Sequence, residues 1–260
     1  MIRAILTIKG GTGKTTTTLN LAAGLADAGR RTLLIDLDGQ ANCTEMLLQR
    51  EVKDGEITIG DCLSDPNLTP KAIIDTGFGF DLVPSNLNLF TVEKSILLDP
   101  SRSQHLRLGD AIARVENNYD EIIIDCNRSL GILATNAILA CRSGLGYVIV
   151  PYKVGVGDYA GLAATYNYVQ ELNKNYDYAI EIKCLHTMVP YPGKYEIEAV
   201  EELRAAMPDK WLNTVIRMQP IAVGKASHKG EFLVRKLVRS NKSVGDDYRA
   251  LVRELLGGNA

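Results

Sequence analysis

The sequence predicts an α/β fold of the doubly wound kind, a mostly parallel sheet with helices on both faces. Three observations lead there. Short apolar runs alternate with longer helical patterns along the 260 residues. Several runs are continuous, as in Ile122-Ile123-Ile124 and Val148-Ile149-Val150, which is the pattern of strands buried on both faces. No Pro/Gly/Ser-rich linker, low-complexity tract or internal repeat interrupts the alternation, so residues 1–260 are expected to form one domain.

Seven strands are expected: Ala4–Ile8, Thr32–Ile35, Phe80–Val83, Glu121–Ile124, Gly146–Val150, Ile180–Leu185 and Leu212–Ile216. Between them, Thr15–Ala28 reads as a helix, with Leu19, Ala22, Ala23 and Ala26 at helical spacing and Gly29 as its stop. Gly161–Asn173, Ile197–Met207 and Asp247–Leu256 read as helices too. In sheets of this kind ligands sit at the carboxyl ends of the strands, so the chemistry is expected just after each strand.

Composition is ordinary for a globular chain, 46% apolar and 23% charged, with a formal net charge of −2. A global positive field is therefore absent, and any contact with nucleic acid must come from a local patch. The five cysteines, Cys43, Cys62, Cys126, Cys141 and Cys184, are scattered without a C-x-x-C pair. That argues against a disulfide framework and against closely spaced thiols holding zinc or an iron–sulfur cluster, and it fits a reducing, cytoplasmic setting. The N-terminus reads as a strand and not a signal peptide, and no apolar run approaches the roughly 18 residues of a spanning helix.

The first strand runs into Lys9-Gly10-Gly11-Thr12-Gly13-Lys14-Thr15-Thr16, and a helix follows at once. Three glycines let backbone wrap closely around an anion, and the helix N-terminus adds open N–H groups and a positive dipole end. Lys14 can reach β- and γ-phosphates, and the Thr15 hydroxyl is placed to ligate Mg²⁺. The general P-loop pattern has glycine where this chain has Ile8. Two later strands end in acids. Leu33-Leu34-Ile35-Asp36-Leu37-Asp38 puts two carboxylates on one side of an extended segment, and Glu121-Ile122-Ile123-Ile124-Asp125 is an apolar strand ending in one. Carboxylates there can hold Mg²⁺ through water or orient an attacking water.

Lys9-Gly10-Gly11-Thr12-Gly13-Lys14-Thr15-Thr16 resembles the deviant Walker A motif of the ParA/MinD family of P-loop ATPases. The resemblance implies that residues 10–16 cradle ATP, that Lys9 reaches a partner subunit's nucleotide, and that Lys9, Lys14 and Asp38 act in hydrolysis. The segment from Asp36 to Gln40 is similar to the family's Asp-x-Asp-Pro-Gln switch, which implies that Asp38 positions water and that Asp36 supports a Mg²⁺ shell built on Thr15 and Asp125. Gly39 stands in place of that proline, so a looser switch is expected. Asp125-Cys126-Asn127-Arg128-Ser129-Leu130-Gly131 resembles the family's Asp-Cys-Pro-Pro-Ser-Leu-Gly. Asn127-Arg128 restores backbone freedom and two N–H donors. Arg128 brings a cation near the γ-phosphate, where it meets transferring charge, a partner subunit or solvent.

The resemblance is strongest to short ParA-type DNA partition ATPases. No helix-turn-helix precedes the first strand, and the end of the chain does not read as a basic amphipathic membrane-targeting tail. The implied function is an ATP·Mg²⁺-dependent homodimer that binds DNA non-specifically, that is stimulated by a small ParB-like adaptor, and that partitions a plasmid, chromosome region or mobile element. It would be cytoplasmic, associated with the nucleoid and not with a membrane. Other readings are a MinD-like ATPase positioning membrane or protein cargo, a nucleotide-gated scaffold with little hydrolysis, and a metal-cluster or cofactor-handling ATPase, which the cysteine pattern disfavours. From Arg217 to Lys242 there are seven Lys/Arg against one acid, Glu231. If Lys229–Ser240 is helical, Arg235, Arg239 and Lys242 share one face and could hold phosphates. Lys194 stands where many relatives have a DNA-contacting arginine. Met218 replaces a second, and Arg217 beside it is the substitute.

Overall fold

A computed structural model describes residues 1–155, 158–190, 198, 200–201, 203–205, 207–236 and 243–258. Eight strands form one sheet: β1 (Ile2–Ile5), β2 (Thr32–Leu37), β3 (Ile74–Asp75), β4 (Asp81–Val83), β5 (Glu121–Cys126), β6 (Gly146–Tyr152), β7 (Glu181–Val189) and β8 (Trp211–Arg217). Their order is β3-β4-β2-β5-β1-β6-β7-β8. Each pairing is parallel except β3 with β4. The doubly wound, mostly parallel expectation holds. The seven expected strands are present with shifted ends, and the short antiparallel β3 is the addition. Two residues carry too little periodicity to be read as a strand.

The labelled helices are α1 (Lys14–Asp27), α2 (Asn42–Leu48), α3 (Ile59–Ser64), α4 (Thr69–Ala72), α5 (Leu89–Leu98), α6 (Arg107–Ile112), α7 (Ile132–Ala140), α8 (Asp158–Tyr176), α9 (Pro220–His228) and α10 (Val244–Leu255). Residues 198, 200–201 and 203–205 are also helical, in the segment where Ile197–Met207 was expected.

The continuous apolar strands explain the layers. Successive side chains point to opposite faces, so Leu33, Ile35, Ile122, Ile124, Val148 and Val150 join one core with α3, α6, α7 and α8. Their alternates Leu34, Ile123 and Ile149 join a second core with α1, α10, Phe80 and Phe232. In that second layer α1 approaches α10 closely at Gly24. A Cβ there would stand 2.6 Å from the Val252 Cγ2 and 3.0 Å from the Val234 Cγ2.

The amino end of the sheet is held by charge. Arg3 and Glu121 pair across β1 and β5, each 2% exposed, and the Arg3 Nε donates to the Tyr147 hydroxyl at 2.6 Å. This pair lies far from the carboxyl ends where ligands bind, so its role is structural.

The expected helix over Lys229–Ser240 is not what the described residues form. Gly230 takes a left-handed φ of 61° after α9, and Leu233–Arg235 is a single 3-10 turn. Tertiary contacts pin the chain here. The Phe232 ring packs edge-on against Phe78 and Phe80, the Val234 N–H donates to the Asn20 Oδ1 at 3.0 Å, and the Arg249 guanidinium donates to the Val234 and Lys236 carbonyls. Residues 237–242 lie outside the described residues.

His186 in β7 gives the fold a pH dependence. Burial, reinforced by the charge of Arg204, lowers its imidazole from 6.5 to about 4. A base whose folded pKa is depressed contributes stability that is complete above the unfolded value and is lost as pH falls through the window from 6.5 to about 4. Urea titrations at pH 7.5 and pH 5 are therefore expected to show a loss of roughly 2 kcal/mol in the wild type that His186→Gln does not share. Equal losses in both proteins would assign the acid sensitivity to other groups.

Candidate nucleotide site

The carboxyl ends of β1, β2 and β5 are neighbours, and the ladder puts Ile5 beside Asp125 and Asp36 beside Asp125. The phosphate-loop motif and two of the three sequence-identified acids thus meet at one level of the sheet, with Asp38 two residues beyond.

The loop from Thr7 to Lys14 needs glycine at two points, because Gly11 and Gly13 have φ of 72° and 82°. Gly13 is the N-cap of α1, where no side chain caps the helix, and its first turn carries no acid. The positive end of α1 therefore faces the loop. Lys14 is buried and donates from Nζ to the Thr7 carbonyl at 3.2 Å. Burial lowers its pKa, partly offset by the charge of Asp125. Lys9 and Gly10 are exposed at the mouth, and Thr15 and Thr16 are half-buried in the first turn. Thr12 is buried with its hydroxyl unpartnered among the described residues. Its carbonyl accepts from Thr187, which also donates to the Tyr152 carbonyl and so ties the loop to β6 and β7.

Asp125 is fully buried. It accepts from the Thr15 hydroxyl at 2.9 Å, the Thr18 hydroxyl at 2.8 Å and the Cys43 thiol at 3.3 Å. Asp36, equally buried, accepts from the Thr44 N–H at 2.9 Å and hydroxyl at 2.8 Å, and from the Asp38 N–H at 3.2 Å. Burial and the charge of Asp125 raise Asp36 to about 7, and burial raises Asp125. Burial is the first cause at both acids, and a divalent cation would offset the cost of holding two carboxylates away from water. Asp38 is half-buried and accepts from the Gln40 N–H at 3.0 Å. Sequence reasoning missed Thr18, Cys43 and Thr44. Thr18 was findable, since it lies one helical turn beyond Lys14, while Cys43 and Thr44 enter only because α2 folds back over the strand ends.

These features fit a nucleotide and Mg²⁺. The glycines open the loop backbone, Lys14 and the α1 end supply positive charge, and Thr15 with Asp125 offers the hard oxygen donors that Mg²⁺ takes.

Residues 1–182 match the family model described as an AAA domain. Soj, the sporulation initiation inhibitor protein of Bacillus subtilis, is 37% identical over 217 residues, 83% of each chain. A ParA family protein of Chlamydia trachomatis is 32% identical over 257 residues, 97% of this chain and 96% of that one. The chain belongs to the ParA/MinD family of P-loop ATPases. In fold it is similar to a putative plasmid partition protein from Borrelia burgdorferi solved with AMPPNP, with TM-score 0.78 at 23% identity, covering 98% of both chains.

The candidate DNA residues are less united. Arg217, on β8, is locked to Asp247 by bonds of 2.7 and 2.6 Å, and Arg235 turns back onto Asp27 at 2.7 Å. They lie on different elements and not on one helical face. Lys194, Arg239 and Lys242 lie outside the described residues.

The switch differs from the sequence expectation at Gly39. This position is buried, and a Cβ on it would stand 2.8–3.0 Å from three carbons of the Phe90 ring. Glycine there admits the ring, so the segment is packed where looseness was expected. Phe90 is itself 39% exposed and its ring can yield, so Gly39→Ala is expected to cost no more than about 1 kcal/mol, the low end of overpacking, and Phe90→Leu in the same chain to recover much of that. Denaturant unfolding of the two single variants and the double variant measures the coupling; additive costs would show that Phe90 is not the obstacle.

Proposed function

We propose that this ATPase is a ParA-type molecular switch. It binds ATP·Mg²⁺, dimerises around two nucleotides, holds DNA non-specifically in that state, and is released when a ParB-like adaptor stimulates a slow hydrolysis. The observation that carries this reading is the division of labour between two lysines in one loop. Lys14 is buried at its base against Thr7, while Lys9 is exposed at its mouth, where a second chain can supply or receive it.

On this reading the loop amides of Gly10–Gly13 and the first turn of α1, Thr16 included, bind phosphate oxygens, and Lys14 neutralises the β- and γ-phosphates. Thr15 and Asp125, with Asp36 behind them, hold Mg²⁺, which supplies charge neutralisation on the phosphates. Asp38 orients the attacking water. Lys9 completes the partner's site, so nucleotide binding and dimerisation reinforce one another.

What supports DNA as the ligand of the ATP state is the local excess of basic residues from Arg217 to Lys242. The pairs Arg217–Asp247 and Arg235–Asp27 leave their arginines 30% and 31% exposed. Of the two, Arg235–Asp27 is exposed on both sides and worth little, so phosphate can replace its carboxylate, whereas Asp247 is only 8% exposed and holds Arg217 more firmly. A protein cargo is the second reading. One observation favours it: Met218 and Ile221 are 45% and 73% exposed beside the same basic residues. Cargo in either case would be partitioned or positioned within the cytoplasm, and among the described residues no helix is long and apolar enough to cross a membrane.

Binding to a non-specific duplex without nucleotide, with ADP and with ATP·Mg²⁺, across a salt series, tests the switch. Salt-sensitive binding is expected with ATP alone, and Lys9→Ala is expected to abolish it. No DNA binding in any nucleotide state would remove DNA and leave protein cargo. Separately, Asp38→Ala is expected to keep ATP binding and to lower turnover by at least about tenfold. Unchanged turnover would point to a scaffold whose hydrolysis does not depend on this acid.

A further inference from the structure

Arg128 stands in the loop between β5 and α7, three residues beyond Asp125. The Asn127 Oδ1 accepts from the Ser129 N–H at 3.1 Å, a short turn with Arg128 at its apex. From that apex the side chain folds back over its own phosphate loop. Its Nη1, Cζ and Cδ lie 3.0, 3.5 and 3.7 Å from the point that a Cβ on Gly10 would occupy. The guanidinium therefore rests on Gly10, and the missing side chain is what admits it.

No hydrogen bond or ion pair ties Arg128 to any described residue. The acid nearest in the chain is already spent, since Asp125 accepts from Thr15, Thr18 and Cys43. After burial, the charge of Arg128 is the next influence lowering the Lys14 pKa. Two cations from different loops thus meet at the phosphate loop, with Asp125 the carboxylate that acts most strongly on Lys14. An arrangement that is repulsive when the loop is alone becomes favourable around a polyanion.

We propose that Arg128 is a catalytic residue supplied in cis, gripping the terminal phosphate of the nucleotide bound to its own chain as the phosphoryl group transfers. The proposal rests on the ATPase reading above. Arg128 is solvent-exposed, yet its guanidinium folds back against its own Gly10, and that contact with its own phosphate loop favours the nucleotide of its own chain. In the step, the water oxygen forms a bond to the γ-phosphorus. The bond from that phosphorus to the β,γ-bridging oxygen breaks, leaving its electron pair on ADP. The protons of the water leave with inorganic phosphate and to solvent. Arg128 donates hydrogen bonds to the equatorial oxygens throughout and keeps its own protons. Asn127, by shaping the turn, is a positioning residue.

The test compares wild type, Arg128→Ala, Arg128→Lys and Lys14→Ala in the full chain. Turnover is read together with binding of ADP and of ADP with aluminium fluoride, a mimic of the transferring phosphoryl group. Arg128→Ala is expected to bind ADP within about twofold of wild type, to turn over at least about tenfold more slowly and to lose a similar factor in aluminium fluoride affinity. Arg128→Lys, which keeps the charge without the planar fork, is expected to fall between them. Wild-type turnover and wild-type aluminium fluoride affinity in Arg128→Ala would overturn the proposal. So would rescue of Arg128→Ala turnover by added Lys14→Ala chain, whose intact Arg128 would then be acting across a dimer. If Lys14→Ala itself binds ADP like wild type, the nucleotide reading fails, and that outcome is distinct from a failure of Arg128 alone.

Discussion

The buried carboxylate of Asp125 is the contact on which the site depends. One side chain collects the Thr15 and Thr18 hydroxyls from α1 and the Cys43 thiol from α2, so three elements are fixed by one group. Such a carboxylate is costly to bury, and each donor it accepts offsets part of that cost. Asp36 repeats the arrangement one strand away, taking both donors of Thr44, whose hydroxyl accepts in turn from the Ser85 N–H. The start of α2 is thereby hung on two acids at the ends of adjacent strands. Any change in charge at those acids is felt first by α2 and by the segment from Asp38 to Ala41 that leads into it. In the proposed cycle this is the route by which bound nucleotide and metal would act on that segment.

The departures from the family pattern acquire physical reasons once packing is known. Gly39 is occupied space, because the Phe90 ring fills the volume that a side chain would need. The freedom expected of glycine is used for a close approach. Asn127-Arg128 makes the opposite exchange. Removing two rings from the loop after β5 allows a short turn and delivers a guanidinium onto Gly10. One loop has become more crowded and the other carries more charge, and both flank the same phosphate loop.

The basic C-terminal segment shows how tertiary contacts override local pattern. Charge spacing over residues 229–240 favoured a helix with a cationic face, yet Gly230 turns the chain and Phe232 inserts between Phe78 and Phe80. Arg235, the first member of that face, spends its fork on Asp27 and the Phe78 carbonyl. The positive charge remains, distributed over β8, α9 and the turn that follows.

The sequence by itself determined the sheet, the phosphate loop and its acids. The period of apolar residues dictates which segments are buried on two faces, and phosphate chemistry demands glycines, lysine and hydroxyl in consecutive positions, so both signals are local. It also placed Asp36 and Asp125 at strand ends, because an acid following an apolar run has nowhere else to go. Only the tertiary structure decided that these two acids face each other on adjacent strands, that Cys43, Thr18 and Thr44 satisfy them, that Phe90 closes on Gly39 and that Arg128 lies on Gly10. Each of these is a contact between residues distant in the chain, made by packing and desolvation that no sequence period encodes.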